Sequence, residues 1–489
     1  MNRSIWFAIG TVCLFASSLF TACDSRSVDS PTVASVEPSA AQVKSVITIN
    51  GSHFVDSYSQ TVVQFTGGNA VVKDFISVTN SEIVIRVPNV GQTGPLSVKV
   101  QDEISNGVSF SVFGPWAYVG HGNANPLLTV IDSHVNESAE SVEIRAEIGL
   151  EGAPEALAPT PEGDKTYVSL PSINTIVVLD APNNTIAGVL QDGVGPAPSA
   201  MAATKQDKHK LFVANRGDRS VTVVDTLTNT VIATLTVSGD PDDGRTDWGT
   251  ASVALDPSFQ TCYVIFKDEG ILRAYWVDSL QVRSENEFGP QPIRLLVLPN
   301  NSKVYSLNQA SIEEGNETSG SLTTLLISEQ RRFTDVTVGS NPTDMVAAAS
   351  VQVIVANRSS NSVSVVNADG DVVVRTFADG EVGVEPAGVT LSGDNQFIYV
   401  ASAGNGSVYV INREQLTVNK EIPVSSGITD IQYRDTGEGE RLFVLNPVEN
   451  TVTAITVEDD KDEVISSATI AEGALFMLVE ELTTYPPSE

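Results

Sequence analysis

Three short apolar runs follow one another closely in Leu211-Phe212-Val213-Ala214-Asn215, Ser220-Val221-Thr222-Val223-Val224-Asp225 and Thr230-Val231-Ile232-Ala233-Thr234-Leu235, and this unit recurs along most of the chain. Brief runs rich in β-branched and aromatic residues, bounded by Asn, Asp and Gly, read as strands joined by tight turns. With the preceding run Ser199-Ala200-Met201-Ala202 as a fourth strand, each copy makes one small antiparallel sheet. Such a sheet cannot bury its apolar faces alone, so the copies must stack, and radial stacking gives a ring of blades. Tyr118, Tyr167, Phe212, Tyr263, Tyr305, Ile354, Tyr399 and Phe443 open or centre the equivalent run, at intervals between 42 and 51 residues. These markers predict eight blades; seven is the alternative, if the divergent fourth or fifth copy elaborates a neighbour.

The sixth copy repeats the template as Pro342-Thr343-Asp344-Met345-Val346, Val353 to Arg358 and Ser362 to Val366, and the seventh as Glu385 to Val389, Phe397 to Ala401 and Ser407 to Asn412. The copies resemble YVTN-type propeller repeats of bacterial and archaeal surface proteins over residues 115 to about 480. The first copy, Trp116-Ala117-Tyr118-Val119, has no inner strand before it, and Ala474-Leu475-Phe476-Met477-Leu478-Val479 has no repeat behind it. The terminal strand is therefore expected to complete the first blade, closing the ring and removing both free edges.

Ahead of the ring, Val46 to Ile49, Thr61 to Phe65, Glu82 to Val87 and Leu96 to Val100 read as strands of a small two-sheet sandwich. Ser35-Val36-Glu37-Pro38-Ser39, the run Val46 to Phe54 and the strand Ile83 to Pro88 resemble the opening, hairpin and Val-Pro strand of IPT/TIG domains, which are immunoglobulin-like. In bacterial surface proteins such domains act as spacers or binding modules. The chain start carries Arg3, an apolar run from Ile5 to Phe20, and Leu19-Phe20-Thr21-Ala22-Cys23. A basic start, a short apolar core and small residues at the break describe a secretory signal peptide, and the Cys after the small residue resembles the lipobox of bacterial lipoproteins. That resemblance implies lipidation at Cys23, an attachment to the envelope membrane, and an outer-membrane location facing the periplasm or the outside. The expected organisation is a signal peptide over 1–22, a tether over 23–30, the sandwich over 31–113, the propeller over 115–482 and a tail over 483–489. The fold class is thus all-β.

Cys13 leaves with the signal and Cys23 takes lipid, so Cys262 stands alone and no disulfide framework exists. Within Tyr263-Val264-Ile265-Phe266 it reads as a small buried hydrophobe. The formal charge of −32 is spread along the chain, which excludes nucleic acid as a partner because phosphate binding needs a basic groove. Only His53, His121, His134 and His209 are present, and no haem-binding Cys-x-x-Cys-His, Gly-x-Ser-x-Gly elbow or phosphate loop occurs. His121, in Val119-Gly120-His121-Gly122, is the best single catalytic candidate, expected in a loop between the second and third strands.

The loops joining second to third strands and those joining one blade to the next share one face, and both main insertions fall there: Ser238 to Trp248, and Gln309 to Gly320 with Glu313, Glu314 and Glu317. Binding residues concentrate in long loops on rigid scaffolds. His121, Arg216, Asp240, Asp242, Asp243, Arg245, Trp248, Glu313, Glu314 and Arg358 are the candidate binding face. Arg216 and Arg358 suit an acidic glycan or pair with local acids. Asp240, Asp242 and Asp243 with Gly244 are a candidate calcium site, since hard cations want clustered carboxylates, although the final Glu of an EF-hand is missing. Asn367-Ala368-Asp369-Gly370-Asp371 reads as an ordinary hairpin turn. The expectation is a monomeric, non-enzymatic envelope platform for protein or glycan ligands, without a resident cofactor. A metal-assisted carbohydrate or lactone enzyme and a periplasmic assembly scaffold are the alternatives.

Overall fold

A computed structural model describes residues 30–42, 45–88, 92–113, 116–122, 124–133, 142–161, 163–205, 207–236, 249–267, 270–289, 291–309, 312–313, 316–317, 319–349, 351–378, 380–435, 440–457 and 463–479. The signal segment, Cys23, His134, the acidic loop with Asp240, Asp242, Asp243, Arg245 and Trp248, Glu314 and the tail lie outside them.

The first module is a sandwich of two sheets. One joins Thr32–Glu37, Val46–Ser52, Glu82–Arg86 and Phe75–Val78; the other joins Ala40–Gln42, Val108–Phe113, Gln92–Val100, Thr61–Thr66 and Gly68–Asn69. Period-two alternation sets the inner faces: Ile47 and Ile49 from one strand, Ile83 and Ile85 from its neighbour, and Val63, Leu96, Val98 and Val100 from the facing sheet are fully buried. Each such aliphatic side chain contributes about 1.5–3 kcal/mol.

Among the described residues, the second module is a propeller of eight four-stranded sheets. In blade three the inner, second, third and outer strands are Pro198–Ala203, Lys210–Asn215, Ser220–Asp225 and Thr230–Thr236. Blade one runs, from inside out, Ala474–Val479, Trp116–His121, Leu127–Asp132 and Glu143–Gly149. The terminal strand pairs antiparallel with the second strand, Ala117 opposite Val479 and Gly120 opposite Phe476. Closure by the last strand is therefore a feature of the fold.

Among the described residues, eight separate apolar clusters hold the ring, and each is shared by two adjacent blades, from blades one and two round to blades eight and one. Strand geometry explains this. Successive side chains point to opposite faces of a blade, so Leu211 and Val213 enter the core shared with blade two while Phe212 enters the core shared with blade four. A strand buried on both faces shows no alternation, which is why the repeat reads as continuous apolar runs. All eight marker residues face the following blade: Tyr118 and Tyr167 enter the cores toward blades two and three, and Phe443 the core toward blade one.

Several marker tyrosines also tie their hydroxyls to the hairpin turn of the next blade. Tyr167 donates to Asn229 Oδ1 at 2.7 Å, Tyr305 donates to Asp371 Oδ1 at 2.5 Å, and Gln330 Nε2 donates to the Tyr263 hydroxyl at 3.3 Å. Lys303 reaches the same turn as Tyr305, with Nζ 2.6 Å from Asp371 Oδ2 and 2.5 Å from the Ala368 carbonyl. Both ends of this ion pair are buried. Asn367 accepts the Asp369 and Gly370 amides there, as a hairpin turn requires.

Candidate functional site

Antiparallel connectivity puts the loops between second and third strands, and those from an outer strand to the next inner strand, at one end of the ring. Blade five carries its insertion there as a small hairpin of Ile312–Glu313 and Asn316–Glu317, between Lys303–Asn308 and Ser319–Leu326. Arg216 and Arg358 occupy equivalent places, each donating its amide to the residue before an inner-strand proline, Ala197 and Asn341. Their guanidinium groups pair with local acids: Arg216 with Glu155 at 2.6 Å and Arg358 with Glu385 at 3.0 Å. Both pairs are well exposed, and such pairs contribute roughly 0–1 kcal/mol. Burial pushes the Glu155 carboxyl above its ordinary value against the opposing pull of Arg216.

His121 is not in a loop. It ends the second strand of blade one and is fully buried. The equivalent position holds Asn215 in blade three, Asn308 in blade five and Asn357 in blade six, and their side chains show what His121 does. Asn215 Nδ2 donates to Ser220 Oγ and Thr222 Oγ1 on the third strand, at 2.8 and 2.9 Å. Asn308 and Asn357 make the same pair of bonds to Ser321 and Thr323, and to Ser362 and Ser364. His121 replaces this rung: Nε2 lies 2.9 Å from Thr129 Oγ1 and Nδ1 3.3 Å from the Glu472 carbonyl. Burial lowers its pKa, outweighing the nearby carbonyls, so the ring is neutral and structural. The backbone crosses the rung closely, as a Cβ on Gly195 would stand 2.2 Å from Asn215 Nδ2. Only glycine fits there.

The charged groups gathered at the axis are ones sequence inspection passed over. Strand pairing puts Arg294 of blade five, Asp344 of blade six, Gly388 of blade seven and Asp430 of blade eight at one level of the inner strands, with Ser252 of blade four and Phe476 of blade one. An inner strand has no strand partner on its axial side, and this layer supplies bonds across that gap. Ser252 Oγ accepts the Leu295 amide at 3.2 Å, Asp344 Oδ2 the Val389 amide at 3.0 Å and Asp430 Oδ2 the Met477 amide at 3.3 Å, each on the next blade. The Arg294 guanidinium donates to Asp344 Oδ1. A charged residue two places after the inner-strand proline, as in Pro292-Ile293-Arg294 and Pro342-Thr343-Asp344, was the available signal.

Burial, then the charge of Asp344, holds the Asp430 carboxyl above its ordinary value, against Gln432, Arg294 and the Met477 amide. A carboxyl raised in the folded state stabilises fully below its unfolded pKa, and that contribution is lost as pH rises through the folded pKa. Asp430→Asn keeps an acceptor for the Met477 amide, and rotation of the Gln432 amide restores its own bond. The variant is expected to melt higher than the parent at pH 8, by on the order of 2 °C, and to converge with it near pH 4, as read by thermal unfolding across pH.

Among the described residues, no three His, Cys, Asp or Glu side chains are gathered so that they could hold a metal ion. Cys262 is fully buried, and burial pushes its thiol well above the ordinary value, so it packs as a hydrophobe.

The protein is an all-β chain of two modules, an immunoglobulin-like sandwich followed by a β-propeller. Its first module is an IPT/TIG domain, a family that matches residues 31–112. Among solved structures the chain is similar to "Dihydro-heme d1 dehydrogenase NirN in complex with DHE", with a TM-score of 0.58 and 11% identity over 74% of this chain and 75% of that one. It is also similar to Kuenenia stuttgartiensis hydrazine synthase, with a TM-score of 0.47 and 16% identity over 63% and 96% of the two chains. The first likeness shows the fold alone, and the second carries no argument. No curated protein matches the chain at a significant level.

Proposed function

We propose that this chain is a lipid-anchored cell-envelope protein without catalytic activity, whose YVTN-type propeller presents a binding platform for protein or glycan ligands on its long-loop face. The observation that carries the reading is the use made of the ring's polar side chains. His121, Asn215, Asn308, Asn357, Asp344 and Asp430 all bond within or between blades, and Arg216 and Arg358 are held by Glu155 and Glu385. A scaffold of this kind leaves recognition to its loops, and the strands that flank both insertions meet them at one end of the ring. The IPT/TIG domain between tether and head fits a spacer. Deleting residues 310–318 and replacing 237–248 by a Gly/Ser linker of equal length is expected to abolish retention on immobilised envelope glycans and proteins while the melting temperature stays unchanged. Retention by the deleted protein removes the platform reading.

Lipidation has its own test. Cys23→Ser is expected to shift the protein from the membrane to the soluble fraction and to end incorporation of labelled palmitate. Unchanged membrane recovery and labelling refute the anchor.

A further inference from the structure

Four aliphatic side chains at the long-loop end remain uncovered: Ile173 is 37% exposed, Val384 44%, Val448 73% and Leu475 55%. They are not scattered. Val384 precedes the inner strand of blade seven, Val448 lies in the second-to-third loop of blade eight, Leu475 opens the inner strand of blade one, and Ile173 lies in the second-to-third loop of blade two. Blades seven, eight, one and two are consecutive. Among the described residues, the other strongly exposed large aliphatic and aromatic side chains of the propeller lie on outer strands or at the opposite end.

The charge of this half-ring is equally one-sided. Its loops at this end, residues 378–385, 403–406, 424–429, 447–450, 470–473, 122–126, 150–156 and 171–174, contain no Lys or Arg. The same end of blades three, four and six carries Arg216, Arg219, Lys267 and Arg358. An acid accompanies each aliphatic tip: Glu385 follows Val384, Glu449 follows Val448, and Glu472 shortly precedes Leu475. Glu151 adjoins Gly152, which packs on Ile173. Three of the acids in these loops are met by arginines from neighbouring strands and loops, Glu155 by Arg216, Glu381 by Arg375 and Glu385 by Arg358.

From this arrangement we infer that the arc over blades seven, eight, one and two docks a cationic amphipathic segment of another protein, its apolar side chains against the four aliphatic tips and its Lys or Arg residues against Glu151 and Glu449. Exposed apolar tips ringed by one sign of charge select a partner of the opposite sign with an apolar stripe. An acidic glycan or an anionic lipid surface meets repulsion here. The inference rests on the platform reading and names the partner class for one half of that face, the half without the insertions.

The probe is a fluorescent Lys/Leu amphipathic peptide of about 14 residues, with Glu/Leu and Lys/Ser peptides as controls, titrated against the mature protein at physiological ionic strength and read by anisotropy. The Lys/Leu peptide is expected to bind at least about tenfold more tightly than either control. Val448→Ser with Leu475→Ser, and separately Glu151→Lys with Glu449→Lys, are each expected to weaken it about tenfold at unchanged melting temperature. Deleting residues 310–318 is expected to leave its affinity within about twofold. Equal binding of the Lys/Ser peptide, unchanged affinity in both arc variants, or preference for zwitterionic vesicles over the peptide overturns the inference. Loss of Lys/Leu peptide binding when 310–318 is deleted and 237–248 is replaced by a Gly/Ser linker, with both arc variants binding normally, leaves the platform standing and overturns the arc.

Discussion

A chain ending at residue 473 is expected to lose the cooperative unfolding transition of the propeller. Without Ala474–Val479, the second strand of blade one exposes its whole inner edge. The core shared by blades eight and one also loses Ala474, Met477 and Val479, which pack against residues such as Phe443, Leu445 and Val452. Met477 and Val479 at about 1.5–3 kcal/mol each, with about 0.8 kcal/mol for the Ala474 methyl, remove roughly 4–7 kcal/mol, and an edge strand is opened as well. A typical domain holds only about 5–15 kcal/mol in total. Calorimetry should show the propeller transition gone or broadened, and light scattering should show aggregates in place of monomer. Adding a synthetic peptide of residues 470–482 is expected to restore part of the transition, which distinguishes an open ring from a chain that never folds.

Asp371→Ala is expected to destabilise the propeller by about 3–5 kcal/mol, because it leaves the Lys303 ammonium buried without a counter-charge. Two further losses add to it. The Tyr305 hydroxyl gives up a 2.5 Å bond, and the φ of 50° at position 371 is left-handed backbone that alanine adopts at a cost of about 1–2 kcal/mol. Asp371→Asn separates these terms, since asparagine tolerates the conformation and still accepts from Tyr305. The pair Lys303→Met with Asp371→Asn should recover most of the loss, because no charge is then buried alone. Denaturant unfolding of Lys303→Met, Asp371→Asn and the pair closes the double-mutant cycle and gives the coupling energy. A loss in Asp371→Ala no larger than in an exposed turn aspartate would show that the pair does not join blades five and six.

The ring was legible in the sequence because its strands are buried on both faces, so each copy stands out as continuous apolar runs. The terminal strand could be assigned to blade one for the same reason: Ala474-Leu475-Phe476-Met477-Leu478-Val479 has strand character and no successor. The polar residues were harder to read. His121 invites a catalytic reading because histidine is scarce in this chain, whereas it stands at the asparagine rung of blades three, five and six. That equivalence needs strand register, and Val119-Gly120-His121-Gly122 shares only its valine with Val213-Ala214-Asn215-Arg216. Arg294, Asp344 and Asp430 were missed for a related reason. They are far apart in the chain and meet only because closure stacks one position of every inner strand around the axis. The aliphatic arc was unreadable too, since single exposed valines and leucines look like core residues until the ring assigns them to an end.

Hydrogen exchange of the amides in Ala474–Val479 tests closure most directly. In a closed ring these amides exchange as slowly as those of the inner strands Pro342–Ala348 and Pro386–Leu391, and lose protection only when the whole propeller unfolds. Exchange of the terminal strand at the rate of an unstructured tail, with the other inner strands still protected, would show that blade one lacks its inner strand and that the ring is open.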